Sequence, residues 1–293
     1  MENLRGIAFM LLAMAGFAFE DAFIKLAATD LALGPVVATF GLGGFLFYAV
    51  LTRARGQPLI MPETTSPALI WRAGFEMIGR GGFFLGITLT PLSNASTILQ
   101  ATPLVVTLGA ALYFGEQVGW RRWSAILVGF LGVLIVLRPG LDGFLPAAMF
   151  TVIGTLGFAA RDLATRAAPK SLSNLQLAVY GFAVLIPTGL ILTIFTGWGA
   201  LPDARGAAIM AAAIACGIVG YYGITAAMRL GDVAVVTPFR YSRLLFAVAL
   251  AALFFGERPD TATLIGGTLI VASGIYTILR QARAKPPLPT AAR

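Results

Sequence analysis

The sequence has no histidine and a single cysteine, Cys216. One thiol cannot form a disulfide within the chain, and the common zinc sites and histidine-dependent nucleophile sites lack their ligands. A membrane-embedded enzyme of those kinds is excluded, and neither a metal nor a cofactor is expected. Cys216 lies among alanines and reads as a small packing residue. Charge is scarce as well: 12% of the 293 residues carry it, about half the ~25% usual in soluble domains. Apolar residues take its place, at 58% of the chain with a mean hydropathy of +0.86.

The net charge of +8 does not point to nucleic acid. Most basic residues sit at the ends of apolar runs, where lysine and arginine meet lipid headgroups. The expected partner is a lipid bilayer. Apolar runs of about 20 residues recur along the chain, each long enough to cross a ~30 Å hydrocarbon core as a helix. The sequence predicts an all-α polytopic membrane protein with ten spans, over 4–26, 33–51, 68–90, 92–114, 119–138, 144–168, 172–196, 205–229, 232–255 and 261–280. Proline and glycine at Gly34-Pro35, Pro91, Pro139-Gly140, Pro202 and Pro259 punctuate them. The first run lacks a clear small-residue cleavage site and is matched by an internal copy, so it reads as a retained span. Residues 282–293 have no apolar periodicity and are expected to form a disordered cytoplasmic tail.

With the N-terminus in the cytoplasm, twelve lysines and arginines fall in inner segments and four (Lys25, Arg138, Arg205, Arg258) in outer ones. Positive residues favour the inside, so both termini are expected to be cytoplasmic, in the cell inner membrane.

An internal repeat organises these spans. Leu112-Tyr113-Phe114-Gly115-Glu116 returns 141 residues later as Leu253-Phe254-Phe255-Gly256-Glu257. The same offset maps Gly16-Phe17-Ala18 onto Gly157-Phe158-Ala159, Asp21 onto Asp162, Lys25 onto Arg166, and Gly79 and Gly82 onto Gly220 and Gly223. Two repeats follow, 4–140 and 144–281. Each has five spans, an odd number, so the halves lie in opposite orientations. Inverted repeats of this kind are typical of secondary transporters with a site near the midplane. The Gly-Glu pairs themselves suit a tight turn and the acid-favouring first turn of a following helix.

Two five-span halves, each with Gly-Glu, a glycine about ten residues later and a further glycine, resemble the EamA type of the drug/metabolite transporter superfamily. The resemblance covers residues 4–280. Thr102-Pro103 matches the family's usual fourth-span pair, whereas Arg243-Leu244 stands where the ninth span often has Glu-Pro. The resemblance implies a ten-helix carrier with a central cavity lined mainly by spans 1, 3, 4, 6, 8 and 9. It also implies a small-molecule cargo, family members including exporters of amino acids, some of them aromatic, and importers of other metabolites.

Ionisable groups near the bilayer centre are unfavourable by roughly 2.5–3.5 kcal/mol each, so each is a functional candidate. Glu20 and Asp21 lie in span 1, Glu76 and Arg80 in span 3, Arg161 and Asp162 in span 6, and Arg240 and Arg243 in span 9. Asp21 with Lys25, Glu76 with Arg80, and Asp162 with Arg166 are i, i+4 pairs with the acid first, the better order on a helix. The pairs Asp21–Lys25 and Asp162–Arg166 are expected to be structural or gating pairs that close the cavity alternately from either face. Arg240 and Arg243 have no acid beside them in sequence. They are expected to meet Glu76, Glu20, water or a substrate carboxylate, which the planar guanidinium fork suits. Without histidine, any proton coupling falls to carboxylates, Glu20 and Glu76 first. Phe17, Phe158, Tyr222 and Tyr241 can supply apolar contact or ordinary packing, and Gln100 a hydrogen bond to cargo or across the bundle. Pro103 and Pro238 are expected to kink their helices around the centre.

The resulting expectation is an alternating-access carrier for amino acids or related zwitterions, moved outward. The carboxylate would bind Arg240 or Arg243, and the ammonium Glu20 or Glu76. The alternatives are import or exchange of a nucleotide-like or vitamin-like metabolite, and multidrug export.

Overall fold

The computed structural model describes residues 2–114, 119–167, 171–230 and 233–284, and every regular element among them is helical. Seven spans are continuous: span 1 Glu2–Ala27, span 2 Leu33–Ala54, span 3 Pro67–Leu89, span 5 Trp120–Leu137, span 6 Ala148–Ala167, span 8 Ala204–Leu230 and span 10 Thr261–Ala284. Three are interrupted. Span 4 is Leu92–Leu99 and Thr102–Phe114, and span 7 is Asn174–Ala183 and Leu185–Thr196. Span 9 is Val233–Val236, a 3-10 turn Thr237–Tyr241, and Ser242–Phe255.

Each interrupted span carries a proline at or just after its break, Pro103, Pro187 and Pro238. Proline has no N–H, and its ring crowds the carbonyl four residues back. In span 4 the carbonyl so deprived is that of Leu99, and the Thr102 hydroxyl donates to it instead at 2.6 Å. Span 6 starts at Ala148, later than its hydropathy suggests, because Gly143 (φ 88°) and Pro146 hold the preceding residues in turns. Span 7 starts at a capping box: Ser173 Oγ accepts from the Gln176 N–H, and Gln176 Oε1 from the Ser173 N–H. Gly256, in the left-handed region at φ 63°, ends span 9. The first Gly-Glu, at 115–116, lies outside the described residues.

Eight of the ten spans are long and apolar enough to cross a bilayer. The other two, spans 3 and 6, have 23 and 20 residues, so they fall short by charge and not by length. Span 3 carries Arg72, Glu76 and Arg80, and span 6 carries Arg161, Asp162 and Arg166. Outward-facing residues such as Leu112, Ile194 and Leu253 are 74–79% exposed. Apolar exposure on this scale is stable against lipid rather than water.

The repeat governs the packing. Span 1 packs on span 8 and span 6 on span 3; span 1 also meets span 9, and span 6 meets span 4; spans 2 and 7 pair, as do 5 and 10. Exchanging each span with its counterpart five places on leaves this set unchanged. The same holds residue by residue. A Cβ added to Gly16 would stand 2.9 Å from the Gly220 nitrogen, and one added to Gly157 2.5 Å from the Gly79 nitrogen. Likewise, Gly223 would meet the Ala13 nitrogen at 3.1 Å and Gly82 the Gly154 nitrogen at 2.9 Å. These are the same two contacts displaced by 141 residues, and they need small residues because the backbones touch.

Candidate functional site

Spans 1, 3, 4, 6, 8 and 9 converge on one cavity of about 320 Å³, to which span 7 adds Phe182 and Leu185 and span 10 adds Ile278. Its polar wall is arginine-rich: Arg72, Arg80, Arg161, Arg240 and Arg243 line it beside Glu76 and Asp162. Glu20 and Asp21 are wholly buried behind this wall. Five arginines therefore face four carboxylates.

Glu76 is the hub. Arg161 Nη1 donates to its two oxygens at 3.3 and 3.1 Å, Arg80 Nε at 3.4 Å, and Arg72 Nη2 lies 4.0 Å away. Arg80 also ion-pairs with Glu20. Arg161 pairs with Asp162 at 2.8 Å, and Arg72 donates to Thr165 Oγ1 at 3.1 Å. A separate pair joins Arg243 of span 9 to Asp21 of span 1 at 2.6 Å. The guanidiniums lie over rings: Arg161 over Phe158 at 5.1 Å, and Arg243 over Phe17 at 5.3 Å and Phe83 at 5.6 Å. A ring face attracts a cation in a desolvated site. Arg240 is different. Among the described residues no carboxylate stands within ion-pair distance of it, although it lines the cavity.

The breaks in spans 4 and 9 meet at this cavity. Gln100 ends the first half of span 4, and its Nε2 donates to the Tyr241 carbonyl at 3.1 Å, at the end of the 3-10 turn. Those two residues are 141 apart, so the bond joins equivalent positions of the repeats. Pro103 and Pro238 flank this junction, one in each broken span.

Several contacts and facings differ from those expected. Asp21 and Lys25 do not pair with each other: Asp21 faces Arg243, and Lys25 reaches past its own helix to Glu257. Cross-helix partners are closer than the neighbour one turn away. Glu20 is not on the cavity wall but serves as counter-ion to Arg80. Tyr222 is 57% exposed and edge-on to Phe9 at 6.2 Å, while Tyr221 lines the cavity. Successive helical residues point about 100° apart, so only one of the two can face inward. Asp162 pairs with its neighbour Arg161. The side chain of Arg166, its expected partner, lies outside the described residues. Glu76, Arg80, Arg240, Arg243, Phe17, Phe158, Tyr241 and Gln100 all line the cavity. Arg72 and Arg161 join them; Arg161 was visible as a charge at depth, whereas Arg72, one turn before Glu76 and nearer the start of its span, was not singled out.

A second polar cluster closes the end towards Glu257. The Lys25 ammonium donates to the Thr90 carbonyl at 2.7 Å and to Glu257 Oε1 at 3.0 Å. Glu257 also accepts from the N–H groups of Leu92 and Ser93, at 2.8 and 3.0 Å, and from Ser93 Oγ at 2.9 Å. Burial would push its carboxyl up, but the N–H groups of Ser93 and Leu92 and the Lys25 ammonium outweigh that and hold it below the usual carboxylate range. Glu257 therefore caps span 4 rather than the helix that follows it. Its counterpart by the 141-residue offset, Glu116, lies outside the described residues.

The EamA-like transporter family model matches residues 4–138 and again 145–280. The chain is 28% identical over 283 residues to the riboflavin transporter of Rhizobium johnstonii, covering 95% of this chain and 92% of that one. It is 23% identical over 266 residues to the S-adenosylmethionine uptake transporter of Rickettsia conorii, covering 91% and 84%. To the pseudopaline exporter CntI of Pseudomonas aeruginosa it is 27% identical over 284 residues, covering 92% and 94%. A solved crystal structure superposes with a TM-score of 0.60 over 94% of this chain and 99% of the other, at 18% identity, which is a likeness of fold.

Proposed function

The chain belongs to the EamA-like transporter family, and from that premise we propose that it carries a vitamin-like metabolite with a flat, oxygen-bearing ring, riboflavin being the first candidate. A small-molecule transporter is what the family and the relatives' names support. The expected amino-acid cargo finds no such support, and the vitamin-like alternative fits better.

The observation that carries this reading is the charge balance of the cavity. A zwitterion needs a carboxylate for its ammonium. Here Glu76 is surrounded by three arginines and Asp162 is held by Arg161. Among the described residues Arg240 is the cavity cation with no carboxylate at ion-pair distance, and it favours an electron-rich or anionic group on the cargo. Tyr221 lines the same wall and offers a ring against which a flat cargo would stack, beside the guanidinium planes that Arg161 and Arg243 hold over Phe158 and Phe17. The distribution of lysine and arginine favours cytoplasmic termini in the inner membrane. The cavity would then be reached from the cytoplasm, with the Lys25–Glu257 cluster at the outer face.

Thermal unfolding of the purified protein tests the cargo class. At a ligand concentration 100 times Kd, binding adds about 2.7 kcal/mol, a rise of several degrees at roughly 2–4 °C per kcal/mol. Riboflavin should give this rise, phenylalanine and tryptophan should not, and Arg240→Gln should remove it. A rise with the amino acids alone, or one that survives in Arg240→Gln, would contradict the reading.

A further inference from the structure

Lys25 and Glu257 lie outside the cavity, yet they connect four of the spans that wall it. Lys25 is in the last turn of span 1, Thr90 just beyond span 3, Leu92 and Ser93 in the first turn of span 4, and Glu257 just beyond span 9. Both charged side chains are 13% exposed. Lys25 also lies over the Phe255 ring at 5.0 Å. The carboxylate takes up three donors at the start of an eight-residue helix, where the helix dipole favours an anion. Inward of the cluster the chain is close-packed, with Ala22, Ile87, Leu92, Ala95 and Ala251 in one core at 0% exposure. The described cavity wall runs the other way, to Arg72, Thr107 and Ile278.

We propose that Lys25 and Glu257, latched onto the first turn of span 4, are the gate that closes this face of the carrier, and that transport requires the latch to release. The proposal rests on alternating access and does not depend on the cargo. Opening this face must separate span 9 from spans 1, 3 and 4, and the latch is where all four are bound by charge-assisted hydrogen bonds, each stronger than a neutral one. While the latch holds, the cavity is reachable only from the opposite face. The released state must hydrate both charges, which their position at the helix ends permits.

Reporter cysteines in a Cys216→Ser background test this in purified, detergent-solubilised protein, where a polar maleimide can approach both faces. Ala95→Cys places a thiol behind the latch, and Thr107→Cys places one on the cavity wall at the far end. Glu257→Gln should raise the labelling rate of the Ala95→Cys reporter at least about tenfold, the effect of a population shift of about 1.4 kcal/mol. The same variant should slow labelling of the Thr107→Cys reporter. Opposed changes mark a gate. Labelling that rises at both sites would show that the cluster only holds the fold together, and labelling unchanged at Ala95→Cys would show that it closes nothing; either result overturns the proposal. If Glu257→Gln fails to fold, Ser93→Ala removes a single hydroxyl donor. It should move the two rates in the same opposed directions by roughly two- to tenfold, as expected for one hydrogen bond.

Discussion

Glu76→Gln should destabilise the protein by about 3–5 kcal/mol and abolish transport, because it strips the shared partner from buried charges. Glu76 is 3% exposed and answers Arg161, Arg80 and Arg72 together. An amide keeps the shape and some hydrogen bonding but leaves three guanidiniums sharing Glu20 and Asp162. In a low-dielectric interior the repulsion among them is weakly screened. The measurement is thermal or denaturant unfolding in detergent alongside uptake into proteoliposomes. Glu76→Asp keeps the charge but shortens the reach, so it should lose less stability than the amide. Equal losses in the two variants would mean that packing, not charge, makes Glu76 important.

The second large effect concerns Asp21 and Arg243, which join span 1 to span 9 at 2.6 Å. Asp21→Asn leaves Arg243 with the rings of Phe17 and Phe83 and, among the described residues, no carboxylate at ion-pair distance. Arg243→Met leaves Asp21 charged at 0% exposure. Each single change should destabilise by about 3–5 kcal/mol, the cost of an orphaned buried charge. The double variant has no charge to orphan. It should be more stable than the sum of the singles predicts by about 2–3 kcal/mol, read as a double-mutant cycle from unfolding midpoints. Strict additivity would show that the two groups do not interact.

Which parts of this were legible in the sequence follows from what repeats and what does not. The constant 141-residue offset identified the two halves, and the contacts Gly16–Gly220 and Gly157–Gly79 repeat it in space. Charges at depth in apolar runs pointed to the cavity wall because lipid tolerates few of them. Pairing was harder. Spacing along a helix marks Asp21 with Lys25, but each has a partner more than 200 residues away in Arg243 and Glu257. Such partners depend on which spans pack together, and local spacing carries no record of that. Facing was also ambiguous at Tyr221 and Tyr222, since in a span apolar all round no polar stripe marks the inward side. Glu257 looked like a turn residue at a helix end. Its placement on the first turn of span 4 emerges only when spans 4 and 9 are brought together.

Solute counterflow measures directly the proposed transport of a ring-bearing metabolite through this cavity. Proteoliposomes preloaded with unlabelled riboflavin and diluted into labelled riboflavin should show transient, saturable accumulation of label. Preloading with phenylalanine should not drive it, and Glu76→Gln should eliminate it. Accumulation of labelled phenylalanine or tryptophan with none of riboflavin, or flux that rises without saturation, would contradict the account.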